Sequence, residues 1–225
     1  MKPFTTLATA RTPEGAELTL HGHDGQFYLR LNRQPLMGTN ASASEKALAD
    51  LGCEQLRGKA GTSVLIGGLG FGFTLKRVLE LIDAKAVVHV AELLPEIVAW
   101  NREFLGTLNG TLLDDPRVTI LIKDVFDVLQ HASPGSYDAI LLDVDNGPIA
   151  MVHDGNARLY QGQGFALLKR ALKPGGRVAF WSASNDRAFE KRLTKAGFKV
   201  DVVRARAHER AKKFAHTVFV AERAE

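Results

Sequence analysis

The sequence predicts an α/β fold built on a doubly wound, mostly parallel sheet of seven strands. From residue 63 onward, five short apolar runs alternate with amphipathic stretches, which is the pattern of buried parallel strands joined by right-handed helical crossovers. The last two strand-like stretches, residues 198–206 and 213–223, follow one another with no helix between them. The sheet should therefore end in an antiparallel hairpin at its edge.

The first part of the chain has a different pattern. Residues 17–38 alternate apolar and polar positions on both sides of Asp24-Gly25. This alternation predicts a β-hairpin, because a tight primed turn needs positive φ, which glycine adopts readily. We therefore expect a small N-terminal β-hairpin unit over residues 1–41 and an α/β domain, which should carry any ligand site, over residues 42–225.

A helix of about ten residues should join the two parts. Ser42 precedes Glu45 by three residues, the spacing of a capping box, and Gly52 follows the last apolar position as the end of the helix. The five central strands are then predicted, in order, at SVLIGG, AVVHVAE, RVTILIKD, YDAILLD and GRVAFWS. The helices are predicted at FTLKRVLELID, PEIVAWNREFLG, VFDVLQHA, ARLYQGQGFALLKRALK and DRAFEKRLTKAG.

Composition excludes several classes of protein. The chain has 225 residues, 45% hydrophobic and 24% charged, which is typical of a folded globular protein. No run reaches the roughly 18 apolar residues of a membrane-spanning helix. The single cysteine, Cys53, and seven scattered histidines disfavour disulfides and a metal site, and we expect a cytoplasmic protein. A basic cluster at residues 204–213 is interpreted first as a solvated loop and second as a docking site for an acidic group or nucleic acid, although nucleic acid is a disfavoured partner of the chain as a whole.

The end of the first strand carries a glycine turn. Gly67, Gly68, Gly70 and Gly72 fall within six positions at a strand-to-helix junction. Such a turn lets the backbone approach a ligand and exposes N–H groups at the start of a helix. By itself this turn fits NAD, S-adenosylmethionine (AdoMet) or a turn with no ligand. The spacing departs from the G-x-G-x-x-G of dinucleotide sites, which disfavours a pyrophosphate.

Acidic residues follow the next three strands. Glu92 is placed to accept hydrogen bonds from ribose hydroxyls, and Asp124 either accepts from an adenine amino group or only caps the following helix. Asp143, Asp145 and Asn146 follow the fourth strand, although Asp145 is equally well explained as a turn residue. No Lys or Arg at these ends is placed to pair with a phosphate. The pattern favours an adenosine that carries a sulfonium over NAD or ATP.

Residues 63–182 resemble the spermidine synthase (polyamine aminopropyltransferase) family, within the class I AdoMet-methyltransferase fold. The segments that carry the resemblance are VLIGGLGFG, VAELLPEIVAWNRE, DPRVTILIKDVFDVL and YDAILLDVDNGP. The hairpin before them is similar to the small N-terminal β domain of that family. The resemblance implies AdoMet or decarboxylated AdoMet as the donor, a small-molecule amine as the acceptor and no metal.

The resemblance also implies roles for individual residues. Glu92 would bind the ribose, and Asp124, with Val125 beside it, the adenine. Asp143 would be the catalytic acid that orients or deprotonates the amine, with Asp145 as the second acid of the loop. On the acceptor side the resemblance places an amide, an aromatic ring that closes the pocket and an acid: Asn146, Tyr160 and Glu45.

Two departures from the family leave the reaction open. The family has an aspartate after three glycines, facing the aminopropyl ammonium of the donor, and the matching residue here is Gly70. The catalytic loop, residues 143–148, also differs from the family's Asp-Ser-Ser/Thr-Asp-Pro. Aminopropyl transfer, methyl transfer from intact AdoMet and a non-catalytic nucleoside-binding scaffold all stay open. The exposed edges of the N-terminal unit favour pairing with a second copy of the chain.

Overall fold

The N-terminal unit is a four-stranded antiparallel sheet. The computed structural model describes residues 4–144 and 154–224. The hairpin at Asp24-Gly25 is confirmed, with φ of 47° and 74° at the two turn residues. The sheet has four strands, β1 (Thr5–Arg11), β2 (Glu17–His23), β3 (Gln26–Leu31) and β4 (Gln34–Gly38). They pair in the order β1-β2-β3-β4, so the sheet contains one strand on each side of the predicted hairpin that the prediction did not include.

The linking helix α1 spans Ala43–Cys53, but the capping-box prediction is wrong. Ser42 occupies the N-cap position without a side-chain cap hydrogen bond, and Glu45 is buried. Gly52 lies inside the helix, where an added Cβ would overlap the side chain of Leu141. Its role is therefore close packing of α1 on the main sheet.

The predicted seven-stranded sheet is confirmed. Its strands are β5 (Ser63–Gly67), β6 (Val87–Glu92), β7 (Val118–Ile122), β8 (Tyr137–Leu142), β9 (Leu172–Ser182), β10 (Phe198–Ala205) and β11 (His216–Arg223). They lie in the order β10-β11-β9-β8-β5-β6-β7. Its helices are α2 (Phe73–Leu81), α3 (Pro95–Glu103), α4 (Gly106–Asn109), α5 (Val125–His131), α6 (Gly162–Ala171) and α7 (Arg187–Lys195).

The strand order places a crevice between β5 and β8. The chain runs outward from β5 through β6 to β7 and then returns to lay β8 on the other side of β5, in parallel with it. Ligands of open α/β sheets bind at such a switch point, outside the carboxyl ends of the strands. The predicted antiparallel hairpin is also confirmed, because β10 is an edge strand paired with β11 along its whole length.

The single helix predicted over residues 157–173 is wrong in detail. Residues Asp154–Tyr160 form a 3₁₀ segment, α6 starts only at Gly162, and Leu172 already belongs to β9. The break falls at Gln161, whose backbone is extended (φ −128°, ψ 176°). This extended residue separates the 3₁₀ segment from α6, and Gly162 and Gly164 both lie in the first turn of α6.

Two apolar clusters cover the two faces of the main sheet. Along β5, Val64 and Ile66 face one cluster and Leu65 faces the other, as the two-residue period of a strand requires. The first cluster also takes in α1 and the buried side of the N-terminal sheet, whereas the second takes in α5, α6 and α7. The N-terminal sheet therefore packs on the face that carries α1, beside the crevice.

Candidate active site

A cavity occupies the crevice at the carboxyl edge of the main sheet. Its walls come from three parts of the chain: the ends of the parallel strands, helix α1 and the N-terminal sheet. The strand ends and the segment after β8 contribute Gly68, Gly70, Glu92, Lys123, Asp124, Val125, Asp143, Val144, Asn156 and Trp181. The N-terminal sheet and α1 contribute Leu18, Leu29, Leu36, Met37 and Glu45.

The glycine turn presents main chain to this cavity. Gly68 has a φ of +88°, and an added Cβ would lie 2.5 Å from the carbonyl oxygen of Asp143. Gly70 has a φ of +50°, and its added Cβ would lie 3.0 Å from Met37 Cε. Both glycines line the cavity, whereas Gly67 and Gly72 pack against neighbouring side chains instead. The backbone therefore passes too close to Asp143 for any larger residue at position 68.

Glu92, at the end of β6, is a buried carboxylate held by the main chain. One oxygen accepts from the backbone N–H of Leu69 and the other from that of Leu94, both at 2.9 Å. Burial raises the pKa of Glu92, and the N–H groups of Leu94 and Leu69 oppose this rise. The backbone N–H groups of Leu93 and Gly70 also stabilise this carboxylate, so the main chain fixes its position at the edge of the cavity.

Asp124, after β7, caps helix α5 and is also held by a cation. One carboxylate oxygen accepts from Phe126 N at 2.8 Å and the other from Arg158 at 2.6 Å. The Arg158 guanidinium lies 4.1 Å from the centre of the Phe126 ring. The cap is therefore observed, and the adenine contact of Asp124 stays a prediction. Val125, the first residue of α5, lines the cavity next to it.

Two cations at this end were missed by the sequence reasoning. The prediction was that no Lys or Arg at the strand ends is placed to pair with a phosphate, but Lys123 lines the cavity and Arg158 pairs with Asp124. Lys123 was visible as the last residue before Asp124. Arg158 had no signal in the sequence, because only the folded 3₁₀ segment brings it to that carboxylate.

Asp143 and Glu45 form a pair of interacting acids at the centre of the cavity. Burial and the charge of Asp143 raise the pKa of Glu45 to about 7, opposed by a hydrogen bond from Ser44. Burial raises the pKa of Asp143 to about 6, opposed by a hydrogen bond from Thr74. At neutral pH the pair therefore carries negative charge and can still exchange a proton.

Hydroxyl groups fix both acids of the pair. The Ser44 hydroxyl donates to Glu45 at 2.6 Å, and the Thr74 hydroxyl donates to Asp143 at 2.8 Å. Thr74 is the second residue of α2, directly after the glycine turn, so its position in the sequence was a usable signal. It orients Asp143 and keeps the pKa of that acid lower than burial alone would.

Of the other residues predicted for the catalytic loop and the acceptor side, none is found in the lining of the cavity within the described part of the chain. Asp145 and Asn146 lie outside the described residues. Tyr160 is buried between Phe180 and Phe189, outside the lining of the cavity, and its hydroxyl donates to Val144 O at 3.1 Å. Its contact with the site therefore runs through the main chain at residue 144 and not through its ring.

Neither a metal cluster nor a membrane span is found among residues 4–144 and 154–224. In that part of the chain no three His, Cys, Asp or Glu side chains are grouped to hold a metal ion. None of its helices is long and apolar enough to cross a membrane.

The fold is shared with solved spermidine synthases. The spermidine synthase of Thermotoga maritima superposes with a TM-score of 0.76 at 16% identity, covering 97% of this chain and 73% of that one. A spermidine synthase in complex with the transition-state analogue AdoDATO gives a TM-score of 0.74 at 16% identity, covering 97% and 72%. At this level of identity the likeness establishes the architecture.

Curated relatives match over about half of this chain. The polyamine aminopropyltransferase of Mycobacterium tuberculosis (strain ATCC 25618 / H37Rv) is 32% identical over 124 residues, 54% of this chain and 23% of the relative. The putrescine N-methyltransferase 1 of Nicotiana tabacum is 34% identical over 115 residues, 51% of this chain and 29% of the relative. The matched segments thus span less than a third of the length of these relatives.

A sequence profile described as the spermine/spermidine synthase domain matches residues 43–196. This range contains the glycine turn, the three acids at the strand ends and the Glu45 of helix α1. The chain therefore belongs to the spermine/spermidine synthase family.

Proposed function

We propose that this protein transfers an alkyl group from a sulfonium adenosine to an amine, with Asp143 orienting and deprotonating the amine. The observation that carries this proposal is the Glu45–Asp143 pair, two interacting acids with raised pKa values beside the glycine turn. An amine nucleophile needs both a negative group that attracts its ammonium form and a base that removes its proton.

The adenosine half of the donor suits the β6 and β7 side of the crevice. Glu92 offers fixed oxygens for the ribose hydroxyls, and Asp124 lies on the next strand for the adenine amino group. Adenine at β7 and ribose at β6 place the sulfonium near β5 and β8, next to Asp143. This order of base, sugar and sulfonium along the strand ends would bring the reactive carbon of the donor to Glu45 and Asp143.

The reaction is an in-line displacement. The proton of the incoming ammonium passes to Asp143, directly or through water. The nitrogen lone pair then attacks the carbon attached to the sulfonium, the carbon–sulfur bond breaks, and its electrons neutralise the sulfur as a thioether. Because the donor is already activated by its charge, the protein acts mainly by alignment, which lowers barriers by as much as about 7–11 kcal/mol in well-oriented systems.

Aminopropyl transfer from decarboxylated AdoMet is the first candidate. Glu45 and Asp143 line the cavity together with Met37 and the leucines of the N-terminal sheet, which contribute apolar surface. Such surroundings favour an ammonium or an alkyl chain. The nucleoside product of this reaction is 5′-methylthioadenosine.

Methyl transfer from intact AdoMet is the second candidate, favoured by Gly70. At this position the family's carboxylate repels the carboxylate of AdoMet, whereas here the nearest atoms to an added Cβ are Met37 Cε and Sδ, at 3.0 and 3.2 Å. Relatives named putrescine N-methyltransferase are among the similar proteins. The nucleoside product of this reaction is S-adenosylhomocysteine.

Mass spectrometry of the nucleoside product separates the two candidates. The protein is incubated with each donor and a panel of small amines, and Asp143→Asn should lower turnover about 100-fold or more. Asp201→Asn, on the exposed side of β10, is the matched control and should leave turnover unchanged. Turnover that is the same in Asp143→Asn and wild type would remove Asp143 from the reaction, and no product from either donor would refute the proposal.

A further inference from the structure

Two buried asparagines contact the glycine turn from outside the crevice. Asn101 lies on α3 and Asn109 is the last residue of α4, and their exposed fractions are 4% and 9%. Within residues 4–144 and 154–224, neither side chain belongs to the lining of the cavity. We call them the asparagine pair. Because they do not reach the cavity, they can influence a ligand only through other residues.

The asparagine pair is hydrogen-bonded to two consecutive carbonyl groups of the turn. Asn101 Nδ2 donates to Gly70 O and to Ile97 O, both at 2.8 Å. Asn109 Nδ2 donates to Phe71 O at 3.1 Å and to Asn101 Oδ1 at 2.8 Å. The two side chains are therefore linked to each other and to the main chain of the turn.

The turn needs such contacts because its own residues are flexible. Gly68, Gly70 and Gly72 all have positive φ, and glycine loses more conformational freedom on folding than any other residue. An added Cβ at Gly72 would lie 2.9 Å from Leu112 Cδ2 and 3.2 Å from Asn109 Nδ2. The asparagine pair thus packs directly against the turn, where no larger residue than glycine fits.

Stability alone does not explain the presence of Asn109. Its Oδ1 is buried and has no hydrogen-bond partner among the described residues. A buried acceptor without a partner destabilises a fold, and such groups are few in native proteins. The amide nitrogen, by contrast, makes both hydrogen bonds described above. The residue is therefore suited to holding the turn, at some cost to stability.

The turn and the start of α2 contact two acids of the candidate site. The backbone N–H of Leu69 donates to Glu92 at 2.9 Å, and the Thr74 hydroxyl donates to Asp143 at 2.8 Å. Between these two donors in the chain lie the two residues whose carbonyl groups the asparagine pair holds. A shift of those residues would therefore displace one donor relative to the other.

We propose that Asn101 and Asn109 are positioning residues for the transfer reaction. By fixing the glycine turn, they keep the donor-binding carboxylate of Glu92 and the reacting acid Asp143 in their present arrangement. The inference rests on the proposed function and assigns to it two residues that do not touch the ligands. A displacement of about 1 Å at a reacting group can lower turnover about 100-fold, so contacts behind the turn can control the chemistry.

Asn101→Ala tests the inference with two measurements. Calorimetry should show 5′-methylthioadenosine bound about tenfold more weakly, because a loosened turn weakens the hydrogen bond that Leu69 makes to the charged Glu92. Nuclear magnetic resonance of the side-chain carboxyl should show the pKa of Asp143 raised above about 6, because the Thr74 hydroxyl no longer stabilises the ionised form. A purely structural role would change neither quantity.

Asn109→Ala is the second variant, and it decides the question if Asn101→Ala does not fold. The hydrogen bond from Asn101 to Gly70 O is retained in it, so both quantities should change in the same direction, with binding weakened about threefold. Leu193→Ala is the control. It leaves a cavity in the second apolar cluster, on α7, and should lower stability while binding and the pKa of Asp143 stay at their wild-type values.

The outcomes that would overturn the inference are specific. Wild-type binding and a wild-type pKa of Asp143 in the asparagine variants would reduce the pair to packing. A change in only one of the two quantities would also overturn it, because a single turn is held responsible for both. If the wild-type protein does not bind 5′-methylthioadenosine, the proposed function is refuted, and the pKa of Asp143 alone then decides the role of the asparagine pair.

Discussion

Replacing Glu45 by glutamine should make this protein more stable at pH 8 while it removes half of the acid pair. Burial and the charge of Asp143 raise the pKa of Glu45 from 4.5 to about 7. Ionising this buried carboxyl above pH 7 therefore costs about 3 kcal/mol relative to the unfolded chain, at about 1.4 kcal/mol for each tenfold change in the acid constant. The glutamine amide is polar and buried, which costs about 1–2 kcal/mol. We expect a net gain of about 1–2 kcal/mol.

The pH dependence gives the sign of this effect. Between pH 4.5 and about 7 the folded protein holds a proton on Glu45 that the unfolded chain has lost. The free energy of unfolding of the wild type therefore falls as pH rises through this window. In Glu45→Gln this contribution is missing, so the advantage of the variant should be near zero or negative below pH 4.5 and largest above pH 7.

Urea unfolding at several pH values between 4.5 and 8 measures this difference. Glu103→Gln, an exposed residue at the end of α3, makes the same chemical change and should alter stability by less than about 0.5 kcal/mol at every pH. A Glu45→Gln protein less stable than wild type at pH 8, or a difference that does not change with pH, would refute the reasoning about the acid pair.

Three further outcomes are expected. Thr74→Val removes the hydrogen bond that lowers the pKa of Asp143, so this pKa should rise above about 6. The acid limb of the pH–rate profile should then move to higher pH, and an acid limb that stays in place would contradict this role of Thr74. Gly68→Ala places a methyl group 2.5 Å from Asp143 O at a residue whose φ is +88°. Urea unfolding should show the fold destabilised by about 1–3 kcal/mol. The control Gly106→Ala, whose added Cβ meets open space, should be nearly neutral. Arg158→Gln releases one oxygen of Asp124 and should raise the donor KM several-fold with little change in kcat; a loss confined to kcat would count against an adenine-side role.

Local patterns predicted most of the fold because its strands are buried on both faces and its turns have specific backbone requirements. The apolar runs located five of the seven strands, and Asp24-Gly25 located the β2–β3 hairpin. Strand β1 was missed because residues 5–11 are mostly small and polar and alternate weakly. The single helix over residues 157–173 was wrong because the extended Gln161 separates a 3₁₀ segment from α6, and the apolar spacing continues across this break.

The site was predictable only where a residue's role is set by its own strand. Glu92 and Asp143 were found because they end parallel strands, and such ends converge. The spacing around Glu45 predicted a helix cap, and only the family resemblance placed this residue on the acceptor side, since its neighbour in the fold, Asp143, is far away in sequence. The ion pair of Arg158 with Asp124 depends on a tertiary contact that no spacing in the sequence expresses.

The account depends most on the claim that the crevice between β5 and β8 binds a sulfonium adenosine. Calorimetric titration with 5′-methylthioadenosine, AdoMet and decarboxylated AdoMet tests this claim before any acceptor is known. We expect saturable binding of one nucleoside per chain that excess ATP does not displace, because Glu92 and Asp143 repel a triphosphate. The absence of binding by all three compounds, or their displacement by ATP, would contradict the account.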